Sequence, residues 1–253
     1  MAESTDEVAP VARAEKKGKK AVLAPGDSYT IFEGVEESYR WPVVLSGLSR
    51  PEGLSVDDPD VFARTGWTTP ELLLTLDGIQ FEGKYDPVTV MAGVNDRIRG
   101  GIAGNYRRNV RAMLANARSQ ATAGAHDVPV VRIPEWSPTP FGFTRAQPGT
   151  PGEIDAFNDA VKDGAALAGM AWVDVTAIPR SMPTETVEDG LHPAPVQPKA
   201  WAEAILPAAR GLPGRGVMGA GKQGRESDYL SSARSFSAAA AAVVPGYSER
   251  SCW

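Results

Sequence analysis

The chain has 253 residues, 42% hydrophobic and 23% charged, which places it with ordinary globular proteins rather than disordered or fibrous ones. A net charge of -5 and a pI near 5.2 exclude the concentrated Lys and Arg surplus that neutralising nucleic-acid phosphates requires. The one cysteine, Cys252, excludes an intramolecular disulfide framework and a cysteine-ligated zinc site.

Residues 1–19 alternate charges without apolar periodicity and read as a flexible arm. The basic cluster Lys16, Lys17, Lys19 and Lys20 precedes only four apolar residues before Pro25. That run is too short for a secretory h-region, and a spanning helix needs about 20 residues, so a cytoplasmic location and no membrane span are expected. From residue 20 to 213, apolar runs alternate with helical patterns. The runs 21–24, 88–92, 128–133 and 171–175 read as strands, and the segments 41–48, 106–117, 154–168 and 200–209 as helices. A weaker strand falls between residues 51 and 63, and Thr69-Pro70 opens a helix that buries Leu72, Leu73 and Leu76. Thr150, Pro151 and Glu153 form a cap, a first-turn proline and a returning glutamate. Such alternation predicts βα units on a parallel sheet of about five strands, in a three-layer α/β/α sandwich. Residues 214–253 are rich in Gly, Ser and Ala with no apolar stripe, and read as a flexible tail.

In an open parallel sheet, ligands bind beyond the carboxyl ends of the strands. The turns Gly26-Asp27-Ser28-Tyr29-Thr30, Gly93-Val94-Asn95-Asp96 and Pro134-Glu135-Trp136 should therefore share one rim with Asp189-Gly190-Leu191-His192-Pro193. There are two histidines. His126 precedes a strand and belongs to the opposite end, which leaves His192 as the base for a nucleophile at Ser28, since a hydroxyl needs one to attack a carbonyl. Asp189, three residues before His192, can orient the ring and stabilise the imidazolium; a plain turn at Asp189-Gly190 is the other reading.

Together with Arg64-Thr65-Gly66-Trp67-Thr68-Thr69, those segments resemble, in order, the four sequence blocks of SGNH (GDSL-like) hydrolases, over residues 21–210. The resemblance implies a flavodoxin-like sheet, a mechanism without cofactor or metal, and an ester or thioester substrate. It also implies that Ser28 is the nucleophile of a Ser28–His192–Asp189 triad, with an oxyanion hole made by the Ser28 and Gly66 N–H groups and the Asn95 side-chain amide. Phe32 stands where such proteins carry a small residue, and is expected to narrow the space near Ser28. Trp67, Trp136, Phe141 and Phe143 are expected to wall the substrate pocket, because small-ligand sites are lined mainly by apolar groups; loop packing explains them equally well. The expected function is a serine esterase acting on short-chain, small-molecule carboxylic esters. Carbohydrate deacetylation, lysophospholipase or thioesterase activity, and a catalytically silent ligand-binding protein remain open, as does the oligomeric state. The absence of a G-x-S-x-G elbow argues against the α/β-hydrolase alternative.

Overall fold

The computed structural model describes residues 22–50, 58–79, 81 and 84–211. The arm expected at residues 1–19, the tail expected at 214–253 and both proposed domain limits lie outside them.

Strand β1 (Leu23–Gly26) runs into a one-turn helix α1 (Ser28–Ile31); a 3-10 turn at Glu37–Tyr39 and helix α2 (Trp41–Ser49) follow. Next come β2 (Asp60–Ala63), α3 (Thr69–Asp77), the short α4 (Val94–Ile98) and the long α5 (Ala103–Gln120). After a second 3-10 turn at Gly124–Asp127, the chain forms β3 (Val130–Val131), α6 (Pro140–Arg145), α7 (Thr150–Ala168), β4 (Trp172–Val173), α8 (Ala177–Ser181) and α9 (Pro198–Ala209).

The sheet is parallel throughout. On one side β1 pairs with β2, from Leu23 against Asp60 to Gly26 against Ala63. On its other side the extended segment 88–91 bridges β1 at Leu23–Val88 and Gly26–Met91, and bridges β3 at Val90–Val130. β3 in turn pairs with β4. The resulting order, β2–β1–(88–91)–β3–β4, is the doubly wound order of flavodoxin-like sheets. The first strand sits two residues later than expected, and the later strands shrink to bridges or residue pairs.

Right-handed crossovers put α2 on one face, because the chain moves from β1 to the β2 edge, and α3, α5 and α7 on the other, because it then moves back across the sheet. The packing agrees: α2 lies on α9, while α5 lies on α7 and α3. Trp41, Leu45, Trp201 and Ile205 are buried from the first pair, and Tyr106, Val110, Leu114, Phe157 and Val161 from the second. Each such side chain contributes about 1.5–3 kcal/mol on burial. Phe32 closes α1 in the left-handed region (φ 55°). Its ring does not narrow the space near Ser28 as expected but goes into the core, edge-on to Trp201 at 5.4 Å between centroids. Arg132 and Lys162 lie over the Trp172 ring of β4 at 5.7 and 5.4 Å. Among the described residues no helix is long and apolar enough to cross a membrane.

Two helix starts differ from expectation by one residue. The cap of α3 is Thr68, and Glu71 in the third position returns to it. α7 starts at Thr150 with Gly149 as its cap, so the Thr150 hydroxyl instead accepts the Gln147 N–H at 2.9 Å. Glu153 forms an ion pair with Arg97.

Candidate active site

The end of β1 is built so that the next residues turn back over it. A Cβ on Gly26 would lie 1.9 Å from Thr30 Oγ1 and 2.4 Å from Met91 O, so only glycine lets α1 fold this closely. The Thr30 hydroxyl then donates to Met91 O at 3.1 Å. Asp27 caps α1 by accepting the Tyr29 N–H at 3.0 Å, and its other oxygen takes the Gly93 N–H at 3.4 Å, which ties the first turn to the loop after segment 88–91. Full burial pushes the Asp27 carboxyl up from 3.8 to about 7, although the Tyr29 and Gly93 donors and the nearby His192 act against that rise. These constraints hold Ser28 at the first position of α1, buried at the carboxyl end of β1.

Asp189 and His192 come from the segment between α8 and α9. Its two limbs join through an antiparallel bridge at Thr186–Pro193 and hydrogen bonds from Val187 N–H to His192 O (2.9 Å) and Ala194 N–H to Glu185 O (2.9 Å). The Phe141 N–H of α6 donates to Gly190 O at 3.0 Å, and the Tyr29 hydroxyl to Leu191 O at 3.4 Å. The Tyr29 ring leans on the His192 ring with centroids 4.9 Å apart.

The structure brings Ser28, His192 and Asp189 into one line. His192 Nε2 is 2.8 Å from Ser28 Oγ, and His192 Nδ1 is 2.5 Å from Asp189 Oδ2. Asp189 Oδ1 also accepts the N–H groups of Leu191 (2.7 Å) and His192 (3.0 Å). Burial alone would raise the Asp189 carboxyl, but the His192 ring and the two backbone donors outweigh it and hold the carboxyl at about 2. An ionised carboxylate at Nδ1 selects the tautomer with its proton there, which leaves Nε2 free to accept from the Ser28 hydroxyl.

Gly66 follows the carboxyl end of β2 and Asn95 that of segment 88–91, the two strands that flank β1. Gly66 has φ +81°, a conformation that side chains rarely adopt. The Asn95 amide donates to Trp67 O at 3.0 Å, one residue further on. Asp96 takes the Thr69 N–H at 2.8 Å and its hydroxyl at 2.6 Å, so α4 and the start of α3 are held together. Among the described residues, the Ser28 and Gly66 N–H groups have no hydrogen-bond partner.

The aromatic residues expected to line a pocket are dispersed in depth. Trp67 is half-buried against Phe62 at 5.5 Å. Trp136 is 3% exposed and edge-on to the half-buried Phe141 at 6.0 Å. Phe143, on α6, is 79% exposed. Arg145 covers the Phe141 ring at 5.5 Å. His126 is exposed in the 3-10 turn at the amino end of β3. Glu135 carries contacts that its place in the sequence does not suggest. This buried carboxylate accepts the Ser137 N–H at 3.0 Å, pairs with Arg180 at 3.1 Å and so fixes the turn after β3. Its only sequence signal is a position at the end of a strand. Among the described residues no three His, Cys, Asp or Glu side chains gather as a metal site.

Residues 24–196 match the model of the GDSL-like Lipase/Acylhydrolase family. Among solved structures, the chain is similar to TesA, with 22% identity over 75% of this chain and 97% of that one and a TM-score of 0.60. An acetyl xylan esterase from Geobacillus stearothermophilus, Axe2, has 18% identity over 77% and 96% of the two chains, with a TM-score of 0.61. A psychrotrophic esterase from Pseudoalteromonas sp., EstA, in a structure inhibited by monoethylphosphonate, has 16% identity over 76% and 97%, with a TM-score of 0.59. No curated protein matches the sequence.

Proposed function

Because the chain belongs to the GDSL-like Lipase/Acylhydrolase family, a family of carboxylic ester hydrolases, we propose that it is a serine esterase that hydrolyses short-chain, small-molecule esters through an acyl-enzyme on Ser28. The observation that carries this reading is the continuous line from Asp189 Oδ2 through His192 to Ser28 Oγ, with contacts of 2.5 and 2.8 Å.

The reaction follows from those contacts. Ser28 Oγ attacks the acyl carbon while its proton passes to His192 Nε2, and Asp189 stabilises the resulting imidazolium. Negative charge collects on the former carbonyl oxygen. The N–H groups of Ser28 and Gly66 and the second N–H of the Asn95 amide are the donors for it, and losing one such donor typically costs about 2.7–4 kcal/mol of barrier. The tetrahedral intermediate collapses, the C–O bond to the alcohol breaks, and the alcohol leaves with the proton from His192. Water then gives a proton to His192 and attacks the acyl-serine. The second collapse returns that proton to Ser28 Oγ and releases the acid.

On this reading Trp67 and Phe141 of α6 wall the acyl or alcohol group of the substrate, with Phe143 at the outer edge. An acetyl group on a carbohydrate, the substrate named for Axe2, falls within this short-acyl class. The test is hydrolysis of p-nitrophenyl esters from acetate to palmitate, and of acetylated xylan, by the intact protein, Ser28→Ala and His192→Ala. Activity confined to short chains and lost in both variants is the expected result; a Ser28→Ala protein that keeps full activity would remove Ser28 as nucleophile. A p-nitrophenyl alkylphosphonate should phosphonylate Ser28 Oγ with loss of p-nitrophenolate, adding the mass of the phosphonyl group to the peptide containing Ser28 in the intact protein and to no peptide in Ser28→Ala.

A further inference from the structure

The loop carrying Gly66 is gripped by α4 and the residue that ends it. Asn95 holds Trp67 and Asp96 holds Thr69; the positions beside them are held by Arg99. Its Nη2 donates to Gly66 O at 2.7 Å. Its Nη1 faces both Glu71 oxygens at 3.2 and 3.3 Å, and Glu71 in turn accepts the Thr68 N–H and hydroxyl, each at 2.8 Å. Four successive residues, Gly66 to Thr69, are thus fixed from the 95–99 segment.

We infer that Arg99 is a positioning residue of the oxyanion hole, which by holding the Gly66 carbonyl and the Glu71 carboxylate in one guanidinium fixes the direction of the Gly66 N–H. The inference rests on the reading above, in which that N–H is an oxyanion donor. A donor stabilises developing charge to the extent that it is aimed beforehand. Gly66 is the residue least able to aim itself, since glycine visits both signs of φ freely, and its N–H has no partner among the described residues. That N–H lies in the Thr65–Gly66 peptide, the central one of the turn closed by the Trp67 N–H on Arg64 O at 3.3 Å, so beside that turn the Arg99 anchor on the Gly66 carbonyl restrains it by limiting Gly66 φ and ψ. A planar guanidinium can span a carbonyl and a carboxylate at once, whereas an ammonium is a single point of charge. Glu71 is ready for that role: burial acts to raise its carboxyl, but the Thr68 donors and Arg99 hold it below the ordinary glutamate value.

Exposure separates this role from a plain stabilising one. The Arg99 and Glu71 side chains are 38% and 48% exposed, and ion pairs that open to water add little to global stability. The loss on removing Arg99 should accordingly appear in kcat and not in folding.

The experiment compares the full chain with Arg99→Gln, Arg99→Lys and Glu71→Gln. It measures kcat and KM on p-nitrophenyl acetate, thermal melting, and the 15N order parameter of the Gly66 amide. Arg99→Gln should lower kcat between about ten- and a hundredfold, the scale on which slight misplacement acts, with KM within about twofold and melting unchanged. Arg99→Lys should recover part of the loss, Glu71→Gln should show a smaller fall of the same kind, and the Gly66 order parameter should drop in Arg99→Gln. An unchanged Gly66 order parameter in Arg99→Gln overturns the inference, as does an unchanged kcat or a loss that follows melting alone. Should the wild-type protein hydrolyse no ester, the esterase reading fails by itself, and the Gly66 order parameter still decides whether Arg99 positions that peptide.

Discussion

Asp189 meets His192 with both carboxylate oxygens, Oδ2 on the ring nitrogen at 2.5 Å and Oδ1 on the backbone N–H at 3.0 Å. Asp189→Asn keeps the acceptor for the backbone but sets an amide N–H against Nδ1, which selects the wrong tautomer. By the precedent of serine-protease triads, kcat should fall about 10⁴-fold with little change in KM. Steady-state kinetics beside far-UV circular dichroism checks this, and a loss under tenfold would make Asp189 a turn residue only. Because this carboxyl is held at about 2, its contribution to stability is present above its ordinary 3.8 and is lost as pH falls through about 2.

Asp27 should produce the opposite slope. Its carboxyl lies at about 7 in the folded chain and at 3.8 when unfolded. Between those values the native state holds a proton that the unfolded state has lost. Stability from this group is therefore present below about 3.8 and disappears as pH rises through 7, by an upper limit of about 4 kcal/mol at 1.36 kcal/mol per unit. Urea midpoints at pH 5 and pH 8 should differ more in the wild type than in Asp27→Asn. Equal differences would mean that the buried carboxyl does not titrate in this range.

At Gly66 the left-handed backbone, φ +81°, sets the cost of any side chain. Gly66→Ala should lose roughly 1–2 kcal/mol, while Gly66→Asn should lose less, because asparagine tolerates this region. Urea denaturation of the two variants gives the comparison. Equal losses would mean that the cost does not come from the left-handed backbone, since the nearest atom to the new Cβ, Arg99 Nη2 at 3.4 Å, is an ordinary contact.

Asn95 donates one amide N–H to Trp67 O at 3.0 Å, and in the proposed reaction its other N–H serves the substrate oxygen. Asn95→Ala should lower kcat about 10²–10³-fold. Asn95→Asp should be worse, since it sets a negative charge against both the Trp67 carbonyl and the oxyanion. An aspartate variant more active than the alanine variant would argue against the donor role.

Phe143 is exposed and Phe141 packs edge-on to Trp136. Phe143→Ala should leave stability within about 0.5 kcal/mol, whereas Phe141→Ala should lose the aromatic pair, about 0.5–1.5 kcal/mol beyond its burial. If these residues bound the acyl site, the double variant should accept longer p-nitrophenyl esters, and an unchanged chain-length profile would assign both residues to loop packing.

The helices legible in the sequence are those long enough to show a period: α2, α3, α5, α7 and α9 each hold at least two turns with one buried face. The one- or two-turn helices α1, α4, α6 and α8 are too short to display one. Strand lengths come out shorter than expected because the apolar runs 88–92, 128–133 and 171–175 record burial, which continues past the last ladder hydrogen bond. The T-T-P-E sequence at residues 68–71 contains the capping box at Thr68, but the Thr69-Pro70 pair offers an equally good start. Ser28 and His192 can be placed on one rim from strand order alone. The links from Asp27 to Gly93 and from Arg99 to Gly66 join residues 66 and 33 positions apart and depend on side-chain directions that no local pattern encodes.

The stub-like β4, two residues long with Arg132 and Lys162 over its tryptophan, also bears on how the molecule behaves in a crowded solution. A growing aggregate extends by adding strands to an open sheet margin, and it needs several consecutive unpaired backbone groups on a flat, uncharged face. This margin offers two residues and places cations on the one aromatic surface there. The enzyme can therefore keep an open parallel sheet, with its reactive rim at the strand ends, without presenting that margin as a template for fibres.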